Sequence, residues 1–380
     1  MRIGMIFSTA LPPREGIGFY VWNLSRQLVN QGHEVQLITR GTTRPTWSEV
    51  VDGIRVWRAT FLPVYPYHVN VHSIFVQKLV DHLESQFDLL HLHSPLVHSL
   101  NSSLPTMVTI HTPVRSDVAL TPATNWIGKF TKLQSSFSYR IEKDLFSQAD
   151  CLAATSTSVA NDLRTYGVDA RKVCILGNGV DGTYFYPIPD IRPEEPPYLL
   201  TVCRLAPRKG LEDLVECASI ISRKRKDVRF FIAGSGPLEK ELKRTIQRFN
   251  LTERFVLLGQ ITDRLRMADL YRKAALYVHP AHYEGMATAI LEAMACAKAV
   301  VATAVGGALD NIQAGSNGIL VPPGAPSQMA QAILELLDDP QTCRRLGAVA
   351  FETIQQGYTW QIVSQKYLVE YHSLLHTIRS

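Results

Sequence analysis

Tyr198-Leu199-Leu200-Thr201-Val202-Cys203-Arg204-Leu205-Ala206-Pro207-Arg208-Lys209-Gly210-Leu211-Glu212-Asp213-Leu214 is the stretch that decides the fold. Five apolar or β-branched residues read as a strand buried on both faces, a cationic loop follows, and Leu211 onward starts a helix. The same unit recurs on the C-terminal side, with strands expected at Arg229–Ile232, Phe255–Leu258, Leu276–Val278 and Val300–Ala302. A second series lies upstream, at Ile3–Phe7, Val35–Ile38, Leu89–Leu92, Val108–Ile110 and Cys151–Ala154. Buried strands separated by helix-length segments predict an α/β chain of two doubly wound parallel sheets in tandem. Between the two series, Phe185-Tyr186-Pro187-Ile188-Pro189 and then Pro193, Pro196 and Pro197 lack amide donors and fix φ, so they read as the linker.

The 380 residues suit two domains better than one core. A hydrophobic fraction of 46% and a charged fraction of 19% exclude a disordered chain. The net charge of +5 is spread over both halves, so no nucleic-acid partner is expected. The opening apolar run is cut by Ser8, Thr9 and Pro12-Pro13 before it could make a signal peptide or a membrane span, which predicts a cytoplasmic protein. The six cysteines show no C-x-x-C pair and no zinc spacing, so reduced, mostly buried thiols are expected.

Three segments carry chemistry. Gly16-Ile17-Gly18 follows the first strand and precedes a helix, where glycine lets backbone approach an anion, although two glycines in a turn are more often structural. The dinucleotide pattern would need a third glycine at 21, which is Val21, so a nicotinamide cofactor is not expected. Arg204 and Lys209 lie where a strand ends, placed to stabilise charge on a departing diphosphate; surface cations on a loop are the competing reading.

In His279-Pro280-Ala281-His282-Tyr283-Glu284-Gly285-Met286-Ala287-Thr288, a strand ends and a helix begins, leaving amides near Met286, Ala287 and Thr288 for an anion. Glu292 follows inside the helix; eight helical residues at about 1.5 Å each would put about 12 Å between it and Glu284. That is too far for the roughly 5–5.5 Å carboxylate pair of a retaining glycosidase. No Asp-x-Asp occurs, so a metal-independent reaction is expected, with no metal and no cofactor. His91 and His93 share one side of a strand, but no third ligand has a persuasive spacing; core or cleft-lining histidines are the better reading.

In order and spacing the chain resembles the family-four retaining glycosyltransferases. The resemblance rests on Gly16-Ile17-Gly18, Asp88 through His93, Thr109-Ile110-His111, Ala149 through Ser156, Asn178-Gly179-Val180-Asp181 and Arg204 through Gly210. It continues with Gly234-Ser235-Gly236-Pro237, the E-x7-E pair Glu284 and Glu292, and Val305-Gly306-Gly307. It implies the GT-B architecture: two Rossmann-like domains facing across a cleft, here 1–187 completed by a C-terminal helix at 358–380, and 188–357. It further implies that Arg204 and Lys209 bind the diphosphate and that Glu292 binds the ribose hydroxyls. By the same resemblance Glu284 with Gly285, Met286, Ala287 and Thr288 holds the donor sugar, His111 sits beside the reacting carbon, and Gly16 and Gly18 belong to a loop over the phosphates.

The implied activity is transfer of a hexosyl group from a UDP- or GDP-sugar to a carbohydrate or lipid acceptor. The family's usual glycines are replaced by Cys203 before Arg204, by Ala287 and by Ala297, and its proline before Asn178 by Gly177. Ala287 would narrow the sugar pocket, and Ala297 reads as a packing change. A nucleotide-sugar epimerase or hydrolase of the same fold, and a non-catalytic binder, remain as alternative readings.

The stretch 121–140, with Trp126, Lys129, Phe130, Lys132, Phe137 and Tyr139 and no acid, suggests a face for anionic membrane on the inner side of the cell; a helix packed on its own sheet is the commoner meaning of such a stripe. Phe61 to Tyr67 would add an aromatic loop.

Overall fold

The computed structural model describes the chain apart from Arg14, Tyr65, Pro66, residues 120–125, Asp190, Arg192 and Ser380; the side chains of 117–119, 126–136 and 377–379 are also outside the description. The chain divides into two compact units, Met1–Gly179 with Trp360–Ser380, and Val180–Thr359.

In the first unit β1 (Arg2–Ile6), β2 (Glu34–Arg40), β3 (Trp47–Val51), β4 (Ile54–Ala59), β5 (Leu89–Ser94), β6 (Thr106–Ile110), β7 (Cys151–Ala154) and β8 (Val173–Ile175) form one sheet in the order β3-β4-β2-β1-β5-β6-β7-β8. In the second unit β9 (Tyr198–Val202), β10 (Arg229–Ala233), β11 (Phe255–Gly259), β12 (Leu276–His279), β13 (Val300–Thr303) and β14 (Ile319–Val321) run in the order β11-β10-β9-β12-β13-β14. Both are Rossmann-like sheets. Strand order reverses at β1 and β5 in one and at β9 and β12 in the other, and loops at the carboxyl ends of such strands are where doubly wound sheets place ligands.

Most strands were legible as apolar runs, the edge strand β11 among them; β3, β4, β8 and β14 were not. β3 and β4 pair antiparallel, joined by Asp52-Gly53 with both residues at positive φ, a primed turn that the dipeptide signals. Their alternating, half-exposed residues lack the continuous apolar signature of the central strands. The chain leaves the first unit at Gly179, earlier than the proline run indicates, because Val180 and Phe185 are buried in the second unit's core with Tyr198, Leu200, Tyr271 and Tyr277. The last helix, Trp360–Arg379, packs in the first unit against the helix Gly16–Asn30.

Trp126, Lys129, Phe130 and Lys132 lie outside the described side chains. Of the remainder of that stretch, Phe137 is exposed and meets the exposed Tyr67 edge to face at 5.7 Å, while Tyr139 packs on Tyr166. Among the described residues, no helix is long and apolar enough to cross a membrane.

Ala297 corrects the packing interpretation. The helix Thr288–Ala295 ends with Lys298 N donating to Ala293 O at 3.0 Å and Ala297 N to Met294 O at 2.9 Å, a Schellman closure whose pivot, Ala297, has φ +54°. A β-carbon is disfavoured there for reasons of backbone, not of packing. Ala297→Gly should stabilise the second unit by about 1 kcal/mol, read as a rise of a few degrees in its calorimetric melting temperature. An unchanged or lower value would refute the strain.

Candidate active site

Because β9 and β12 pair at the reversal point, the loop 203–210 and the turn 280–287 emerge side by side. His282 N donates to Arg208 O at 2.8 Å, and the His282 ring meets Asp213 Oδ2 at 2.7 Å. A β-carbon at Gly210, φ +60°, would stand 1.9 Å from Pro280 O, so only glycine allows this approach. The loop thereby delivers Lys209 to Glu284: Nζ donates to Oε2 at 2.5 Å, with both side chains buried. His279 adds its Nε2 to the same oxygen at 2.9 Å and meets the Tyr277 hydroxyl through Nδ1 at 3.1 Å. Since the carboxylate only accepts, His279 Nε2 is the donor to Glu284. Arg204 is exposed, and its side chain has no hydrogen bond or ion pair among the described residues.

Burial alone would raise the Glu284 carboxyl; Lys209 and then His279 outweigh it and hold it at about 2. Glu284 is therefore a fixed anion and acceptor rather than a proton donor near neutrality. Burial pushes the neighbouring Cys203 thiol up to about 12, so it stays protonated.

Gly285, Met286, Ala287 and Thr288 form the turn into the helix Thr288–Ala295, at whose start Ala287 supplies no side-chain cap. Ala287 is buried in the core at an ordinary φ of −88°, so the backbone there does not require glycine. Glu292 projects from that helix, buried, and accepts from Arg264 Nη2 at 2.9 Å and from the Tyr271 hydroxyl at 3.0 Å. Arg264 lies over the Phe185 ring at 4.4 Å. Tyr271 and Tyr277 have ring centroids 5.6 Å apart, so Glu292, Tyr271, Tyr277, His279, Glu284 and Lys209 form one buried succession linking the two carboxylates.

Gly16, Gly18 and His111 belong to the first unit. Gly16 opens the helix Gly16–Asn30, and a β-carbon there would meet nothing within 4 Å. At Gly18 it would stand 3.3 Å from Thr9 Oγ1, so only that glycine permits a close approach of the backbone. His111, at the end of β6, is 8% exposed; its Nε2 lies 3.3 Å from His93 Nδ1, and Tyr20 meets its ring edge to face at 4.7 Å. Behind it, His91 bonds Thr109 Oγ1 and the Tyr371 hydroxyl, each at 2.7 Å, and Tyr20 and Tyr367 join the same network.

Two family models match this chain: Glycosyltransferase Family 4 over residues 14–183 and Glycosyl transferases group 1 over residues 189–353. The chain belongs to the family-four, group 1 glycosyltransferases. A D-inositol 3-phosphate glycosyltransferase of Kineococcus radiotolerans is 29% identical over 94% of this chain and 90% of its own length. The fold is that of sucrose-phosphate synthase from Thermosynechococcus elongatus, with TM-score 0.80 and 24% identity over 99% of this chain and 100% of that one. The Anabaena protein HepE, solved in complex with UDP and glucose, has TM-score 0.73 and 19% identity over 97% of this chain and 99% of that one.

Sequence reasoning about this glycosyltransferase missed the partners of its two glutamates. His279 closes a strand and had a visible signal, a polar residue ending an apolar run. Arg264 and Tyr271 had none, because only the fold brings the helix Arg264–Lys273 beside Glu292.

The histidine cluster should make the glycosyltransferase acid-sensitive. Burial lowers His91 and His111 to about 3 and holds His93 low as well. These folded values lie below the ordinary imidazole value of about 6.5, so the unfolded chain takes up protons that the native unit does not. Stability is fully present above about pH 6.5 and falls toward about pH 3, with a slope from His91 and His111 approaching about 3 kcal/mol per pH unit. Calorimetry from pH 7.5 to 5 should show the first unit's transition dropping steeply, and a flat transition would refute the neutral cluster.

Proposed function

We propose that this glycosyltransferase is a retaining, metal-independent hexosyltransferase whose donor is a UDP- or GDP-sugar. The observation that carries the reading is the buried Lys209–Glu284 pair at the end of β9 and β12, with the exposed Arg204 on the loop that carries Lys209. A carboxylate held ionised by its own lysine offers a fixed acceptor for sugar hydroxyls, while the remaining Lys209 protons and the Arg204 guanidinium are donors for a diphosphate. HepE's complex with UDP and glucose supports a uridine donor.

On this reading Arg204 and Lys209 stabilise the departing diphosphate. Glu292, oriented by Arg264 and Tyr271, takes the ribose hydroxyls, and Glu284 with Gly285, Met286, Ala287 and Thr288 holds the sugar. His111, neutral, lies by the reacting carbon, and the loop of Gly16 and Gly18 covers the phosphates. The acceptor oxygen bonds to the anomeric carbon on the face from which the diphosphate leaves, and a leaving phosphate oxygen takes the acceptor proton.

The test is a UDP- and GDP-sugar panel with EDTA present and a mixed pool of sugar and lipid acceptors. Turnover with one nucleotide series, giving product of the donor's anomeric configuration by NMR, is expected. Product formed without any acceptor would instead favour the epimerase or hydrolase, and binding without turnover the non-catalytic protein.

A further inference from the structure

Cys151 and Cys174 lie on neighbouring parallel strands of the first unit and are not among the residues assigned above. β7 and β8 pair in the register Leu152 to Val173 and Ala153 to Cys174, so Cys151 sits diagonally from Cys174 on the same sheet face. Their sulfurs are 3.6 Å apart. Glu370, from the helix Trp360–Arg379, brings a carboxylate oxygen within 4.8 Å of both. The Glu370 carboxylate has no hydrogen bond or ion pair among the described residues, and the Cys174 thiol has, besides Cys151, only the weak contact to Leu152 O at 3.7 Å.

We propose that Cys151, Cys174 and Glu370 form a binding site for a borderline-soft divalent cation of the zinc type. Two thiolates at about 2.3 Å from a tetrahedral Zn2+ lie about 3.8 Å apart, close to the separation already present, so little rearrangement is needed. A thiolate pair with one carboxylate is a donor set that suits zinc rather than magnesium or calcium. Cys151 is buried and Cys174 and Glu370 are partly exposed, which leaves a solvent side for a water as fourth ligand.

With no cation, Cys151 and burial push the Cys174 thiol up, and the Glu370 charge adds to the effect. Binding therefore releases both thiol protons to solvent and replaces an S–H contact by two metal–sulfur bonds. The consequence is structural. β8 is the last strand before the chain leaves the first unit at Gly179, and the helix bearing Glu370 begins where it returns at Trp360. A bound ion would fasten the departing and returning segments together, a convergence invisible in sequence because residues 151, 174 and 370 have no motif spacing.

The reduced full-length protein should be titrated anaerobically with Co2+ as the spectroscopic probe. One equivalent should bind with a sulfur-to-cobalt charge-transfer band and release two protons, and Zn2+ should displace it and raise the first unit's melting temperature. Cys174→Ser should abolish the band. Glu370→Gln, at a partly exposed helix position, should weaken binding at least tenfold, since loss even of outer-shell partners costs about 10- to 100-fold. No band at saturating Co2+, or a band surviving both Cys151→Ser and Cys174→Ser, overturns the proposal. If the serine variants fail to fold, unchanged affinity in Glu370→Gln overturns it.

Discussion

Lys209→Ala should lower kcat by about 100- to 1,000-fold, the scale for deleting one preorganised group that stabilises transition-state charge. Two effects are superimposed and can be separated. The first is loss of a cation where the leaving diphosphate develops charge. The second is structural: Lys209 and Glu284 are both buried, and removing one partner of a buried pair costs about 3–5 kcal/mol because the other charge remains. His279 would be left as the remaining partner of an oxygen that burial pushes toward protonation.

The double variant Lys209→Met with Glu284→Gln removes both charges at similar volume. It should recover much of the melting temperature lost in Lys209→Met alone while turnover stays low. Recovery of activity together with stability would show the lysine to be only structural, and near-normal kcat in Lys209→Ala would eliminate its catalytic role altogether.

Gly306→Ala should cost at least about 100-fold in kcat/KM, although residue 306 offers no functional group. Gly306 follows β13 with φ +47° and ψ −134°, a region that side chains avoid. A β-carbon there would stand 1.6 Å from Glu284 O, and Gly307 N donates to that same oxygen at 3.1 Å. The clash sets a β-carbon, fixed by its backbone, against a backbone oxygen, so no rotamer relieves it, and the turn bearing Glu284 must move by more than an ångström. A displacement of about 1 Å at a positioned group is enough for about a 100-fold loss. Gly315→Ala is the control: Gly315 also has positive φ, +79°, but its β-carbon would meet nothing within 4 Å. It should lose stability from strain alone and keep its turnover. Equal losses in the two variants would mean that Gly306 acts through general stability rather than through the Glu284 turn.

β7 and β9 could be read directly, and match the expected bounds, because each is a short run of apolar or β-branched residues. The family's order of motifs was equally legible, because ligand-contacting loops follow strand ends and so keep a sequential address. β14 and β8 escaped notice because three residues at a sheet edge carry too little apolar signal. The boundary at Gly179 was also hidden, since a proline run marks where regular structure fails and not which core the neighbouring aromatic residues join.

By itself, then, the sequence determined the α/β class, the two series of strands, the family and the identity of the charged groups, all of which depend on local periodicity and on residues near one another in the chain. Tertiary structure alone decided that Lys209 and Glu284 are one buried pair, that Arg264 and Tyr271 aim Glu292, and that Ala297 is strained. It alone decided too that Cys151, Cys174 and Glu370 converge. Partners, desolvation and backbone handedness at a helix end are set by which elements the parallel sheets bring into contact, and strand pairing across a reversal of order joins residues whose separation in sequence carries no trace of it.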